Sequence, residues 1–163
     1  MPQVETPVLK EVALPGAEIV DRIRRLIIVA LVAGVSYSVL TAAGKGYCVG
    51  GADGAGGFTD AAGNPVDTVP SCVTLTLRPS PMVYFAVAAI ILWALTRVLR
   101  KANGVASALR VLDRAAVAIG VLVAVSILVS QVWFALIPIT EWDGTGTFFY
   151  PFPFGAVDMG TTP

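Results

Sequence analysis

Residues 115–140 read AAVAIGVLVAVSILVSQVWFALIPIT. No side chain in this run carries a charge, and its polar interruptions before the final threonine are Ser126, Ser130 and Gln131. An α-helix rises about 1.5 Å per residue, so about 20 apolar residues cross a hydrocarbon core of about 30 Å. Within lipid every backbone N–H and C=O must find a partner in the same segment, and a helix achieves this. The run therefore predicts a membrane-crossing helix, long enough to tilt, with Trp133, Phe134 and Pro138 at its far end.

Working outward, two more stretches obey the same rule. Residues 26–43, LIIVALVAGVSYSVLTAA, are uncharged and of spanning length. Residues 81–100, PMVYFAVAAIILWALTRVLR, start on a proline, which is favoured in a first turn. The segment Arg100-Lys101-Ala102-Asn103-Gly104 then supplies a cationic last turn and a C-cap glycine. Arg97 falls near the end of this span, where its long stem lets the guanidinium reach the headgroups. A hydrophobic fraction of 56%, a charged fraction of 13% and a mean hydropathy of +0.79 fit lipid as the solvent, since soluble domains carry about a quarter charged residues. The basic flank, apolar run and small residues Thr41-Ala42-Ala43 also imitate a cleaved signal peptide, but two later spans favour retention.

The fold class expected is an all-α membrane protein with three transmembrane helices. Its divisions are a cytoplasmic N-terminal segment, 1–25; the first span, 26–43; an exoplasmic loop, 44–80; and the second span, 81–100. A basic cytoplasmic loop, 101–114, the third span, 115–140, and an exoplasmic tail rich in proline and aromatics, 141–163, follow. The segment 105–114, VASALRVLDR, reads as an interfacial helical turn feeding the third span. A short amphipathic turn from Ala17 is expected ahead of the first span.

Charge sets the orientation. Of the 11 basic residues, all but Lys45 and Arg78 lie in the N-terminal segment or in the stretch 97–114. The positive-inside rule places that side in the cytoplasm, so the 44–80 loop and the C-terminus lie outside. The chain has only two cysteines, Cys48 and Cys72, and both fall in the loop assigned to the exterior. An oxidising compartment favours a disulfide there, and two thiols alone make a poor zinc site. Between them the glycine-rich half predicts turns, whereas Cys72-Val73-Thr74-Leu75-Thr76-Leu77 alternates as a strand does, so the disulfide can pin a small β-hairpin.

Function is less legible. With no histidine the chain lacks the commonest general base and metal ligand, and no phosphate-binding, nucleophile-elbow or zinc-protease motif occurs. No catalytic residue, cofactor or metal is expected, and nothing indicates nucleic-acid binding. Asp53, Asp60, Asn64 and Asp67 resemble a calcium loop in composition but lack the EF-hand spacing, so a solvated turn-rich loop is preferred. No Asp or Glu lies inside a span to carry protons or coupling ions.

Small residues recur every fourth position at Ala30, Gly34 and Ser38 in the first span and at Ala116, Gly120 and Ala124 in the third. Such ridges allow close helix packing, within the chain first and against another subunit second. Ser126, Ser130 and Gln131 bond across helices or, alternatively, line a wet path. In the tail, Phe148, Phe149, Tyr150, Phe152 and Phe154, stiffened by prolines, form either an interfacial belt or a docking strip for a partner. The expected role is a non-catalytic accessory subunit of a larger bacterial plasma-membrane complex, respiratory or transport in kind. Its partners are membrane lipids and other integral membrane subunits, and a homo-oligomeric channel or small transporter is the alternative.

Overall fold

A computed structural model of the chain describes residues 16–54, 56–60, 62–101, 104–141 and 154–162. Three helices, α1 (Ala17–Thr41), α2 (Pro81–Lys101) and α3 (Val105–Ala135), account for most of them, and all three are long and apolar enough to cross a membrane. The chain is thus of multi-pass membrane type by length and composition. Helix α3 is central, packing along both α1 and α2, which touch each other little. Helices α1 and α3 run parallel: Arg22 meets Asp113 near their starts and Gln131 meets Leu40 near their ends, the same number of residues along each.

Two helices begin earlier than their apolar runs, for one physical reason. Ahead of residue 26, Ile19 and Ile23 continue the inward stripe of α1. Ahead of residue 115, Ala108 and Leu112 are buried and line up with Ala115, Ile119 and Val123 at three- and four-residue spacing. Amphipathic packing carries the helix on after lipid-length hydrophobicity ends. The expected interfacial turn at 105–114 is therefore the first part of α3, and the expected turn from Ala17 is the first part of α1.

Helix α3 ends at Ala135, short of residue 140, because Pro138 disfavours helix at the residue before it. A short 3-10 turn, Ile139–Glu141, follows. Helix α2 opens on Pro81 behind Ser80, whose hydroxyl accepts the Met82 N–H at 3.3 Å as an N-cap.

Among the described residues there are also six strands: β1 (Ala43–Cys48), β2 (Gly51–Ala52), β3 (Phe58–Thr59), β4 (Pro65–Val66), β5 (Cys72–Pro79) and β6 (Gly155–Thr162). The expected hairpin is β1 against β5, antiparallel, with Cys48 opposite Cys72 and disulfide-bonded to it. The tail adds what the sequence did not announce: β6 pairs antiparallel along the other edge of β5, from Cys72↔Thr162 to Pro79↔Gly155. The sheet order is therefore β1-β5-β6.

This sheet caps one end of the helices. Val73, Leu75 and Leu77 on one face of β5 are buried against Phe134, Ile137 and Ile139, a second core beyond the helical one. Each such side chain contributes roughly 2 kcal/mol relative to exposure in water. The other face carries Thr74, Thr76 and Arg78, with Arg78 Nε 3.0 Å from Asp158 on β6. At Gly160 an added Cβ would sit 2.9 Å from Thr74 Oγ1, so a side chain there would displace the hydroxyl that bonds the Gly160 carbonyl. The minute β2-β3-β4 sheet occupies the loop inside the disulfide.

Candidate functional site

Several polar groups of the helices, Tyr37, Ser38, Tyr84, Ser130 and Gln131, gather where the bundle meets its cap. Tyr37 belongs to the inward stripe of α1 and has no solvent exposure. Its hydroxyl accepts the Ser80 N–H at 3.0 Å and donates to the carbonyl of Phe154, just ahead of β6. Ser130 on α3 donates to that same carbonyl at 3.3 Å. One backbone oxygen thereby receives donors from two helices, and the tail is fixed to both.

Around this knot, the rings of Tyr37 and Tyr84 meet edge-on with centroids 5.4 Å apart. Ser38 donates to the Gly34 carbonyl at 2.9 Å, which leaves the Tyr84 hydroxyl as donor to Ser38. Gln131 Nε2 donates to the Leu40 carbonyl at 2.6 Å, and Ser126 donates to Leu122 within its own helix at 2.7 Å. Thr41 is fully buried and its hydroxyl has no hydrogen-bond partner among the described residues, an arrangement that costs about 1–3 kcal/mol.

Lys45 of β1 reaches across to α3. Its ammonium donates to the carbonyls of Phe134 and Ala135 at 2.8 and 2.9 Å and lies 5.2 Å from the Phe134 ring centroid. A cation at a helix C-terminus meets the negative end of the helix dipole and satisfies carbonyls that have no intrahelical donor. The arrangement binds strand to helix. Among the described residues every acceptor in this region is a backbone carbonyl or a hydroxyl, and no carboxylate bonds Tyr37, Ser130 or Tyr84.

The residues singled out from the sequence fare differently. Cys48 and Cys72 are brought together. Ala30 and Gly34 lie on the packed side of α1, where a Cβ on Gly34 would be 3.8 Å from the Tyr84 ring, and Ser38 bonds Tyr84. On α3 the buried stripe is Ala115, Ile119 and Val123, one residue away from the small-residue ridge. Ala116 is half-buried, whereas Gly120 and Ala124 are exposed and nothing among the described residues approaches within 4 Å of a Cβ built on Gly120.

Phe154 packs on the helical core. Phe148, Phe149, Tyr150 and Phe152 lie outside the described residues. In the acidic loop, Asp60 Oδ1 accepts the N–H groups of Ala62 and Asn64 at 2.9 and 2.8 Å, and Oδ2 accepts Asn64 Nδ2 at 3.1 Å. The Asn64 side-chain bond, followed by these backbone bonds, holds the Asp60 carboxyl below the ordinary aspartate range. Asp53 accepts the Gly57 N–H at 2.6 Å. These carboxylates shape turns, and among the described residues no three His, Cys, Asp or Glu side chains group as a metal site.

Sequence reasoning overlooked Tyr37 and Lys45. The signal for the first was available: a phenol inside an uncharged span needs a partner for its hydroxyl. For Lys45 there was only its place, a lone cation just beyond the first span. The chain matches no protein-family model, and comparison with curated proteins and with solved structures finds no match.

Proposed function

We propose that this chain is a non-catalytic accessory subunit of a larger bacterial plasma-membrane assembly, respiratory or transport in kind. It crosses the bilayer three times with its N-terminus in the cytoplasm and the disulfide-bonded cap and C-terminus outside. The orientation rests on the crowding of basic residues at the end away from the sheet and on the disulfide at the sheet end.

One contrast carries the accessory reading. The polar side chains of α3 are spent within the chain, Ser126 on Leu122, Ser130 on Phe154 and Gln131 on Leu40, while its outward ridge of Gly120 and Ala124 is exposed, with nothing among the described residues within 4 Å of a Cβ on Gly120. Ser126 and Ser130 are buried and Gln131 is half-buried, and groups already bonded within the chain have little left to line a shared pathway, which weighs against the channel alternative. A small-residue ridge free on the outer face suits a helix of another subunit. The rigid exterior cap and the aromatic tail offer a second contact outside the membrane.

Purification in a gentle detergent followed by mass spectrometry tests this. Unlike subunits at fixed stoichiometry, lost on Gly120→Leu, are expected. A clean oligomer of this chain alone overturns the reading in favour of the channel.

A further inference from the structure

On the outward side of α2, away from both neighbours, Trp93, Thr96, Arg97 and Arg100 line a shallow depression of about 180 Å³. Their spacing of three, one and three residues places them on one stripe of the helix. The Arg97 guanidinium lies 5.5 Å from the Trp93 ring centroid, a cation–π contact on the exposed stripe of the helix. Thr96 directs its hydroxyl to the Leu92 carbonyl at 2.7 Å, so the charged donors at this site are the two arginines, beside the Trp93 indole N–H. Neither arginine makes an ion pair among the described residues.

From the geometry we infer that this depression binds the phosphate headgroup of an anionic phospholipid in the cytoplasmic leaflet. The inference rests on the membrane orientation proposed above, not on the accessory role. At about 1.5 Å per residue, α2 covers roughly 24 Å between Pro81 and Arg97 and reaches the far side of a 30 Å core near Arg100. Arg97 and Arg100 thus straddle the boundary between acyl chains and headgroups, and Trp93 sits just below it, in the zone tryptophan favours.

The negative end of the α2 dipole, worth about half a charge, opposes an anion here, but two full guanidinium charges outweigh it. Arginine also matches phosphate oxygens with paired N–H groups. The surroundings select an amphiphile over free phosphate: Leu92 and Leu99 flank the stripe at 65% and 86% exposure, apolar surface against which acyl chains can lie.

The test uses the purified, delipidated full chain and native mass spectrometry with phosphatidylglycerol, phosphatidylcholine or inorganic phosphate. Retention of phosphatidylglycerol over phosphatidylcholine is expected, falling about fivefold in R97Q or R100Q and further in the double variant. R78Q, at the opposite end, should leave it unchanged. Equal retention of the two lipids, an unaltered preference in the double variant, or tight binding of inorganic phosphate alone would each overturn the inference.

A photoreactive residue placed at Thr96 in cells should crosslink lipid; crosslinking to a protein would assign the stripe to a subunit and also overturn it. Flotation of the same preparation with vesicles separates the two levels of argument. A chain that fails to float with any vesicle breaks the membrane reading itself, whereas one that floats without the lipid preference breaks this inference alone.

Discussion

The two ends of the helical bundle are held by different physics. At the sheet end, one disulfide, two strand ladders, the two donors on the Phe154 carbonyl and the Lys45 cap on α3 act together, and most of these groups are buried or half-buried. At the basic end, the described cross-link between helices is the Arg22–Asp113 pair at 2.9 Å, with both side chains a third or more exposed. Buried hydrogen bonds resist competition by water, whereas an exposed ion pair is screened by water and salt. One end should therefore behave as a rigid cap and the other as an adaptable surface.

That contrast can be broken in several ways. The largest effect is expected from removing the disulfide in the C48S/C72S variant. Closing a loop of 24 residues stabilises by about 3.5 kcal/mol on the chain-entropy model. Denaturant unfolding in detergent should show a loss of that order, with the tail strand β6 newly open to protease. A midpoint unchanged in the double variant would remove the disulfide from the account of the cap.

Tyr37→Phe comes next, at about 2–3 kcal/mol, because it strands the buried Ser80 N–H and takes one of two donors from Phe154. Amide exchange should speed up along β6 and at the start of α2 while the α2–α3 turn keeps its rate. Uniform acceleration through all three helices would mean that the knot serves the whole bundle and not the cap.

At the basic end, Asp113→Asn should cost no more than about 0.5 kcal/mol, and raising the salt should erase that difference. A cost comparable with that of Tyr37→Phe would show the two ends to be equally built.

The smallest effect is local and depends on pH. Because its folded pKa is depressed, the bonded Asp60 carboxylate contributes above the ordinary aspartate range, and the contribution is lost as the pH falls through the folded value. Backbone chemical shifts of Ala62 and Asn64 should move in that acid window while those of β5 stay still. Joint movement of β5 would tie the acidic loop to the cap.

Much of the architecture was legible along the chain. The three apolar runs announce helices because a bilayer fixes the length of anything that crosses it. The alternation of Val73, Leu75 and Leu77 announces a strand with one buried face, and the only two cysteines announce its pairing. The packing face of α3 was not legible. When a helix is apolar all round, its period no longer marks the buried side, so the small-residue spacing at Ala116, Gly120 and Ala124 pointed one residue away from the stripe that packs.

Sequence alone determined what is local: which segments are apolar enough for lipid, which side collects cations, where prolines and glycines stop helices. Only the tertiary structure decided that GAVDMGTT at the C-terminal end joins β5, that Tyr37 and Ser130 share one carbonyl, and that Lys45 caps a helix far along the chain. The reason is physical. Those contacts unite groups distant in sequence, and no periodicity within either partner encodes the meeting.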